Sequence, residues 1–114
     1  MDFDEHLMSS ARLSIVACLF SSEARTFTEL KRATGLTDGN LHVQTRKLAA
    51  VGYVEIIKGT RGQRPLTRFR ITEHGIASLK LYARKLEAIL STESGVIRPT
   101  KPTARPDRSQ VWST

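Results

Sequence analysis

The sequence predicts a mainly α-helical fold with one small β-hairpin and a long C-terminal helix. Four segments place apolar residues at helical spacing, and two short β-rich segments lie between the third and the fourth of them. Glycine or hydroxyl residues stand at most of the segment ends. At 114 residues the chain is expected to form one modest domain over residues 1–91, followed by a flexible, basic, proline-containing tail over residues 92–114.

The first two helices are predicted from apolar spacing and from their ends. Residues 9–24 read as a helix bounded by serines, with Cys18 on its apolar face. Residues 26–35 begin with Thr26, have Glu29 at the spacing of a capping box, and end in a glycine. The second helix is therefore short and well delimited.

The third helix is predicted within residues 36–52, with Thr37 or Asp38 as its N-cap and Gly52 where it stops. A helical wheel of residues 38–51 separates two faces. The inward arc holds Leu41, Thr45 and Leu48. The outward arc holds Gly39, Asn40, His42, Val43, Arg46, Lys47 and Ala50, with Gln44 on its flank.

A basic hairpin is predicted from residues 53–58 and 66–71, which are β-rich. The residues between them, 59–65, are expected to form a loop longer than a tight turn. Residues 58–72 contain basic side chains and no acid; the basic residues are Lys58, Arg61, Arg64, Arg68 and Arg70. Because like charges repel, we expect a polyanion to neutralise them.

The last helix is predicted over residues 73–91, with Thr72 as its cap. Its apolar stripe is Ile76, Leu79, Tyr82, Ala83, Leu86, Ile89 and Leu90, with Leu81 off the stripe. A stripe this long on a small protein is expected to serve both the core and a dimer contact.

The order of these elements is that of a winged helix-turn-helix, in which the third helix enters the major groove of DNA and the hairpin is the wing. The residues expected to contact DNA from the third helix are Thr37, Asp38, Gly39, Asn40, His42, Val43, Gln44, Arg46 and Lys47. Those expected to do so from the wing are Lys58, Arg61, Gln63, Arg64, Arg68 and Arg70. Amide and guanidinium groups can read base edges, and the wing cations can hold phosphates or reach a minor groove.

Composition agrees with a nucleic-acid partner. The net charge of +7 and the pI of about 10.2 favour polyanions, with nucleic acid ahead of a membrane surface. No stretch approaches the roughly 20 apolar residues of a membrane span, and the start is acidic, unlike a secretory signal. A single cysteine, Cys18, fits a reducing cytoplasm, as a structural thiol or, less favoured, a redox sensor. His6, His42 and His74 show no metal-ligand spacing, and no catalytic motif or cofactor site is indicated.

The segments TDGNL, RKLAAVGYVE and TRFRITEHG together resemble the small winged-helix transcriptional regulators related to the MarR and ArsR groups of bacteria and archaea. The resemblance covers roughly residues 8–90 and implies a homodimeric DNA-binding regulator, usually a repressor, with the outer helices forming the dimer. The residues expected at that contact are Leu79, Tyr82, Leu86, Ile89 and Leu90. Longer MarR-type proteins have extra helices that shape an effector pocket. This chain lacks that length, so a small-molecule effector does not carry over and stays unknown. Metal sensing by paired cysteines does not carry over either, because the chain has one cysteine.

Two other functions remain open at this stage. A winged helix can act as a protein–protein adaptor whose last helix binds a different protein, or it can bind structured RNA. For a dimer on double-stranded DNA, two-fold symmetry predicts a pseudo-palindromic operator with half-sites about one helical turn apart. The tail, with its basic residues and Trp112, could add DNA affinity, provide a docking residue or be inert.

Overall fold

A computed structural model describes residues 2–93, with side chains through Ser91. Within them, a 3-10 helix at Glu5–Leu7 is followed by α1 (Ser10–Phe20), β1 (Arg25–Thr26), α2 (Phe27–Thr34), α3 (Asp38–Ala50), β2 (Val54–Arg61), β3 (Arg64–Ile71) and α4 (Glu73–Glu93). The chain divides after Ala83 into two compact units, so that the end of α4 belongs to the second. The predicted fold class is confirmed, whereas the tail from residue 94 onward, with Trp112, lies outside the described residues.

Hydroxyl side chains cap each α-helix at the position that the sequence indicates. Ser9, Thr37 and Thr72 each accept a hydrogen bond from the backbone N–H three residues further along the chain. Thr26 and Glu29 form the predicted capping box, in which each side chain accepts from the other's backbone N–H at 3.1 and 2.9 Å. These bonds satisfy N–H groups that the helices leave without partners, so the helix starts follow from local sequence.

The three strands form one antiparallel sheet in the order β1, β3, β2. The predicted loop over residues 59–65 is wrong, because pairing continues until Arg61 faces Arg64. Gly62 and Gln63 make a two-residue turn, and Gly62 has a φ of 63°, which a glycine adopts without steric cost. The paired part of the wing is therefore longer than the sequence suggests.

Pro65 is the residue that makes this segment read as a loop, yet the sheet accommodates it. Its register partner is Thr60, one pair beyond the pair that flanks the turn. Pairs alternate along an antiparallel ladder, and the pair flanking a two-residue turn exchanges hydrogen bonds, so Pro65 occupies a position that needs no N–H. Strand β1, which pairs only with Phe69 and Arg68, does not reach this end of β3.

The core lies between the N-terminal helices and one face of the sheet. Its buried apolar residues are Leu7, Ile15, Val16, Leu19, Leu30, Leu41, Leu48, Tyr53, Val54, Phe69 and Ile71. Thr45 is buried among them, and its hydroxyl donates to the carbonyl oxygens of Leu41 and His42 at 2.9 and 3.1 Å. The Thr45 hydroxyl thus finds its hydrogen-bond acceptors within α3, so this polar side chain can be buried in the core.

Gly75, in the first turn of α4, lies against the start of β2. A Cβ atom at this position would sit 2.3 Å from the carbonyl oxygen of Tyr53 and 2.9 Å from a side-chain carbon of Ile71. The same carbonyl accepts a hydrogen bond from the N–H of Thr72 at 3.0 Å. The junction of wing and last helix therefore requires glycine for reasons of space.

Candidate nucleic-acid interface

Helices α2 and α3 form a helix-turn-helix whose inner sides lie in the core. Leu30 of α2 and Leu41 and Leu48 of α3 have no exposed surface. Gly35 ends α2 with a φ of 74°, a left-handed conformation that is typical of a helix C-terminus. With its inner face buried in this way, α3 presents the opposite face to solvent.

The outer face of α3 carries the predicted reading residues. Those exposed are Gly39, Asn40, His42, Val43, Arg46 and Lys47, whereas Gln44 is half-buried on the flank. Val43 is 47% exposed and stands among amide and guanidinium groups. This face therefore combines an apolar contact for a thymine methyl with donors and acceptors for base edges.

Several of these side chains are held by their neighbours one helical turn away. Arg46 Nε donates to His42 Nε2 at 3.2 Å, and Gln44 Nε2 donates to Asn40 Oδ1 at 3.0 Å. Arg12 of α1 donates from Nη1 to Gln44 Oε1 at 2.8 Å, across 32 positions of sequence. Arg12 is absent from the sequence-based site, because no local pattern reveals a contact at that separation.

The start of α3 carries an ion pair that the sequence does not indicate. Lys31 Nζ of α2 lies 2.8 Å from Asp38 Oδ1, with both side chains largely exposed. An exposed pair of this kind contributes little to stability. Asp38 also lies in the first turn, where the helix dipole favours a negative charge. The neighbouring Lys31 thus offsets the negative charge of Asp38 at this exposed surface.

The wing cations divide between the two faces of the hairpin. Side chains alternate along a strand, and paired residues share a face. Lys58 and its partner Thr67 lie on the face that continues the core, whereas Arg61, Arg64, Arg68 and Arg70 lie on the other. Lys58 therefore does not share a face of the hairpin with Arg68 and Arg70.

One wing cation has an acidic neighbour. Arg70 Nη2 lies 2.5 Å from Glu55 Oε1, its register partner on β2. The segment over residues 58–72 contains no acid, but Glu55, just before it, neutralises part of its positive charge. Arg61, Arg64 and Arg68 form no ion pair among the described residues.

Helix α3 and the core-side face of the hairpin border a common pocket of about 490 Å³. Its lining residues are Phe27, His42, Thr45, Arg46, Ile56, Lys58, Thr67 and Phe69. Arg46 from α3 and Lys58 from β2 thus stand at the same opening. Helix α3 and strand β2 of the wing therefore border one opening.

Strand β1 brings further charge to the wing. Arg25 pairs with Phe69 of β3, and its Nε atom is buried without a hydrogen-bond partner among the described residues. The pKa of Glu29 is lowered, chiefly because its carboxylate accepts from the backbone N–H of Thr26, and further by the charges of Arg25 and Arg61. Arg25 therefore belongs to the same electrostatic neighbourhood as the wing.

The candidate dimer residues fall into two groups. Leu79 and Tyr82 are half-buried and pack against the core, and Phe3 contacts the Tyr82 ring edge-on at 5.6 Å between centroids. Further along the helix, Leu86 is 42% and Leu90 is 63% exposed. The first group already has a role in the core.

Two histidines that are distant in sequence meet at Tyr53. The Tyr53 ring contacts His6 at 6.0 Å and His74 at 4.9 Å between centroids. Tyr53 also donates its hydroxyl hydrogen to Asp4, and burial raises the pKa of the phenol, with the Asp4 contact adding to the rise. Within residues 2–93 there is no group of ligating side chains suited to a metal ion.

Cys18 is half-buried and packs at the edge of the core, a less enclosed position than the sequence predicts.

Among the described residues no helix is both long and apolar enough to cross a membrane.

Comparison with known proteins gives a consistent result. The winged helix DNA-binding domain family matches residues 11–90. The chain is 38% identical over 74 residues to the Uncharacterized protein MJ0432 of Methanocaldococcus jannaschii, a match covering 65% of this chain and 80% of that one.

Two solved structures have the same fold. A transcriptional regulator homologue from Pyrococcus horikoshii OT3 superposes with a TM-score of 0.73 at 28% identity, over 79% of this chain and 89% of that one. A MarR-family transcriptional regulator from Enterococcus faecalis V583 gives 0.70 at 20% identity, over 83% of this chain and 86% of that one.

Proposed function

This chain belongs to the winged helix DNA-binding domain family, and we propose that it is a dimeric, sequence-specific regulator of transcription, acting as a repressor in the cytoplasm. The family is one of DNA-binding domains and not of enzymes. In this proposal α3 enters the major groove, and the wing holds the flanking backbone or reaches a minor groove. The two relatives of known structure, both described as transcriptional regulators or their homologues, support the regulatory role.

The observation that carries the proposal is the shared opening between α3 and the wing. Arg46 and Lys58 border one pocket, which supports a reading face and a hairpin that approach the same duplex. The major groove is roughly 12 Å wide and admits one helix, and the cations beside it then meet phosphates. Asn40, Val43 and Arg46 are exposed on the reading face and supply the sequence preference.

Arg61 and Arg64 flank the turn at the tip of the wing and form no ion pair within the described residues. Their free charge favours contact with phosphate, and each phosphate neutralised releases counterions. Arg70, which is paired with Glu55, contributes less than the sequence suggests. We therefore assign the main wing contact to the tip.

The proposed dimer uses the end of α4. Leu86 and Leu90 are exposed apolar residues one helical turn apart, and Ile89 beside them is half-buried. A two-fold axis would relate two recognition helices, so the operator is expected to be pseudo-palindromic, with half-sites about one helical turn apart. A dimer bound over a promoter would exclude other proteins from it, which is the basis of the proposed repression.

The test compares wing and control variants on genomic fragments and on random duplexes across a salt series. Replacing Arg61 and Arg64 by Ala should weaken binding to all sequences. Because a dimer would lose four phosphate contacts, the slope of log K against log salt should fall by about 4. Lys80→Ala with Arg84→Ala removes the same charge from exposed positions of α4 and should change the slope little. Equal binding by the wing variant and wild type would contradict the wing assignment, and absence of any DNA binding would favour the adaptor function.

A further inference from the structure

A chain of hydrogen bonds runs from α1 to the reading face of α3. Arg12 Nη1 donates to Gln44 Oε1 at 2.8 Å, and Gln44 Nε2 donates to Asn40 Oδ1 at 3.0 Å. Arg12 is itself anchored, because its Nε donates to the carbonyl oxygen of His6 at 2.7 Å. The guanidinium is thus held between the N-terminal 3-10 helix and α3.

The chemistry of the three side chains determines the direction of every bond. A guanidinium has only donors, so Gln44 must turn its oxygen to Arg12 and its nitrogen to Asn40. Asn40 must then turn its own oxygen to Gln44. The amide nitrogen of Asn40 is left as the outward group, and within the described residues it has no hydrogen-bond partner in the structure.

We propose that Arg12 is a specificity-determining positioning residue, which acts through Gln44 to make Asn40 present N–H donors to the DNA. This inference rests on the proposed function, in which α3 reads the major groove. Guanine offers two acceptors there, O6 and N7, whereas adenine offers one acceptor and an N6 amine that donates. At the base pair that Asn40 meets, the protein therefore prefers guanine to adenine.

The experiment measures base preference with the full-length protein and a duplex library randomised over one half-site. Asn40→Ala identifies the position that Asn40 reads, because preference at that position alone is lost. Arg12→Met keeps the apolar stem of the side chain and removes its donors, so both amides are free to turn over. The guanine-to-adenine ratio at that position should fall by about fivefold or more, while preferences elsewhere stay the same.

Gln44→Glu tests the direction of the chain. A carboxylate still accepts from Arg12, but it can only accept from Asn40, which must then turn its nitrogen inward and its oxygen outward. The preference should move from guanine towards adenine, whose N6 amine now meets an acceptor. Lys80→Met makes the same change in net charge on the exposed surface of α4 and should leave every base preference unaltered.

The results separate this inference from the proposed function. Suppose that wild type selects a sequence and that Asn40→Ala abolishes the base preference at one position. If Arg12→Met and Gln44→Glu leave the preference at that position unchanged, the positioning role is refuted and the proposed function stands. If wild type selects no sequence, both fail. Thermal unfolding shows whether Arg12→Met is folded, and Gln44→Glu, which preserves the contact with Arg12, decides the question if it is not.

Discussion

Replacing Gly75 by alanine tests the close approach between α4 and the start of β2. A methyl group at this position would lie 2.3 Å from the Tyr53 carbonyl oxygen, and reaching even a 3.0 Å contact requires a shift of about 0.7 Å. The neighbour is backbone, held by the N–H of Thr72, so it cannot move aside as a flexible side chain would. In the middle of an ordinary helix, replacing glycine by alanine stabilises the protein by about 0.5–1 kcal/mol.

Three effects set the expected magnitude. Overpacking costs about 1–3 kcal/mol, and weakening the hydrogen bond to the Tyr53 carbonyl adds about 1 kcal/mol. The helical preference of alanine offsets about 1 kcal/mol of this loss. A net loss of about 2 kcal/mol follows, which lowers the Tm of a domain this size by about 8–16 °C.

The measurement is thermal unfolding by circular dichroism at one fixed protein concentration, because association would raise the Tm of a dimer. Gly39→Ala is the matched control: Gly39 also lies in the first turn of a helix, and a Cβ there meets nothing within 4 Å. It should leave the Tm unchanged or raise it. A Tm for Gly75→Ala at or above that of wild type would refute the reasoning.

Three further predictions concern pH, burial and assembly. The pKa of Glu29 is lowered in the folded state, so its charge stabilises the fold above the ordinary value of 4.5 and this contribution is lost as pH falls through the lowered pKa. Glu29→Gln retains a hydrogen bond to Thr26, so in urea unfolding it should be less stable than wild type at pH 7 and differ little from it at pH 3. A stability difference that does not change with pH would contradict the role of the Glu29 charge. Tyr53→Phe removes the hydrogen bond to Asp4 and should lower the free energy of unfolding by about 1–2 kcal/mol, and an unchanged value would mean that the contact adds nothing. Leu86→Glu should halve the mass measured by light scattering without unfolding the domain, and a mass equal to that of wild type would place the dimer contact elsewhere.

The helices were predictable because their signals are local. A capping hydroxyl and the amide it accepts from are three residues apart, as for Thr26 and Glu29, so both partners appear in one short segment. The two faces of α3 follow in the same way from helical periodicity, and Leu41, Thr45 and Leu48 are buried as that period requires. The reading face of the candidate site therefore follows from the sequence alone.

The wing was less predictable because strand pairing is not local. Pro65 and two glycines indicate a loop when the segment is taken alone, but the ladder accommodates the proline at a position that needs no N–H. The separation of Lys58 from Arg68 and Arg70 follows from the register, which depends on the partner strand. The short strand β1 has only two residues and leaves no detectable pattern.

By itself the sequence determined where the helices begin, which residues of α3 face outward, and that a basic hairpin follows it. Only the tertiary structure decided which cations remain free, that Gly75 must lack a side chain, and that Arg12 reaches Gln44. The physical reason is distance along the chain. Caps and periodicities involve residues a few positions apart, whereas these contacts join residues that only strand pairing and the packed core bring together.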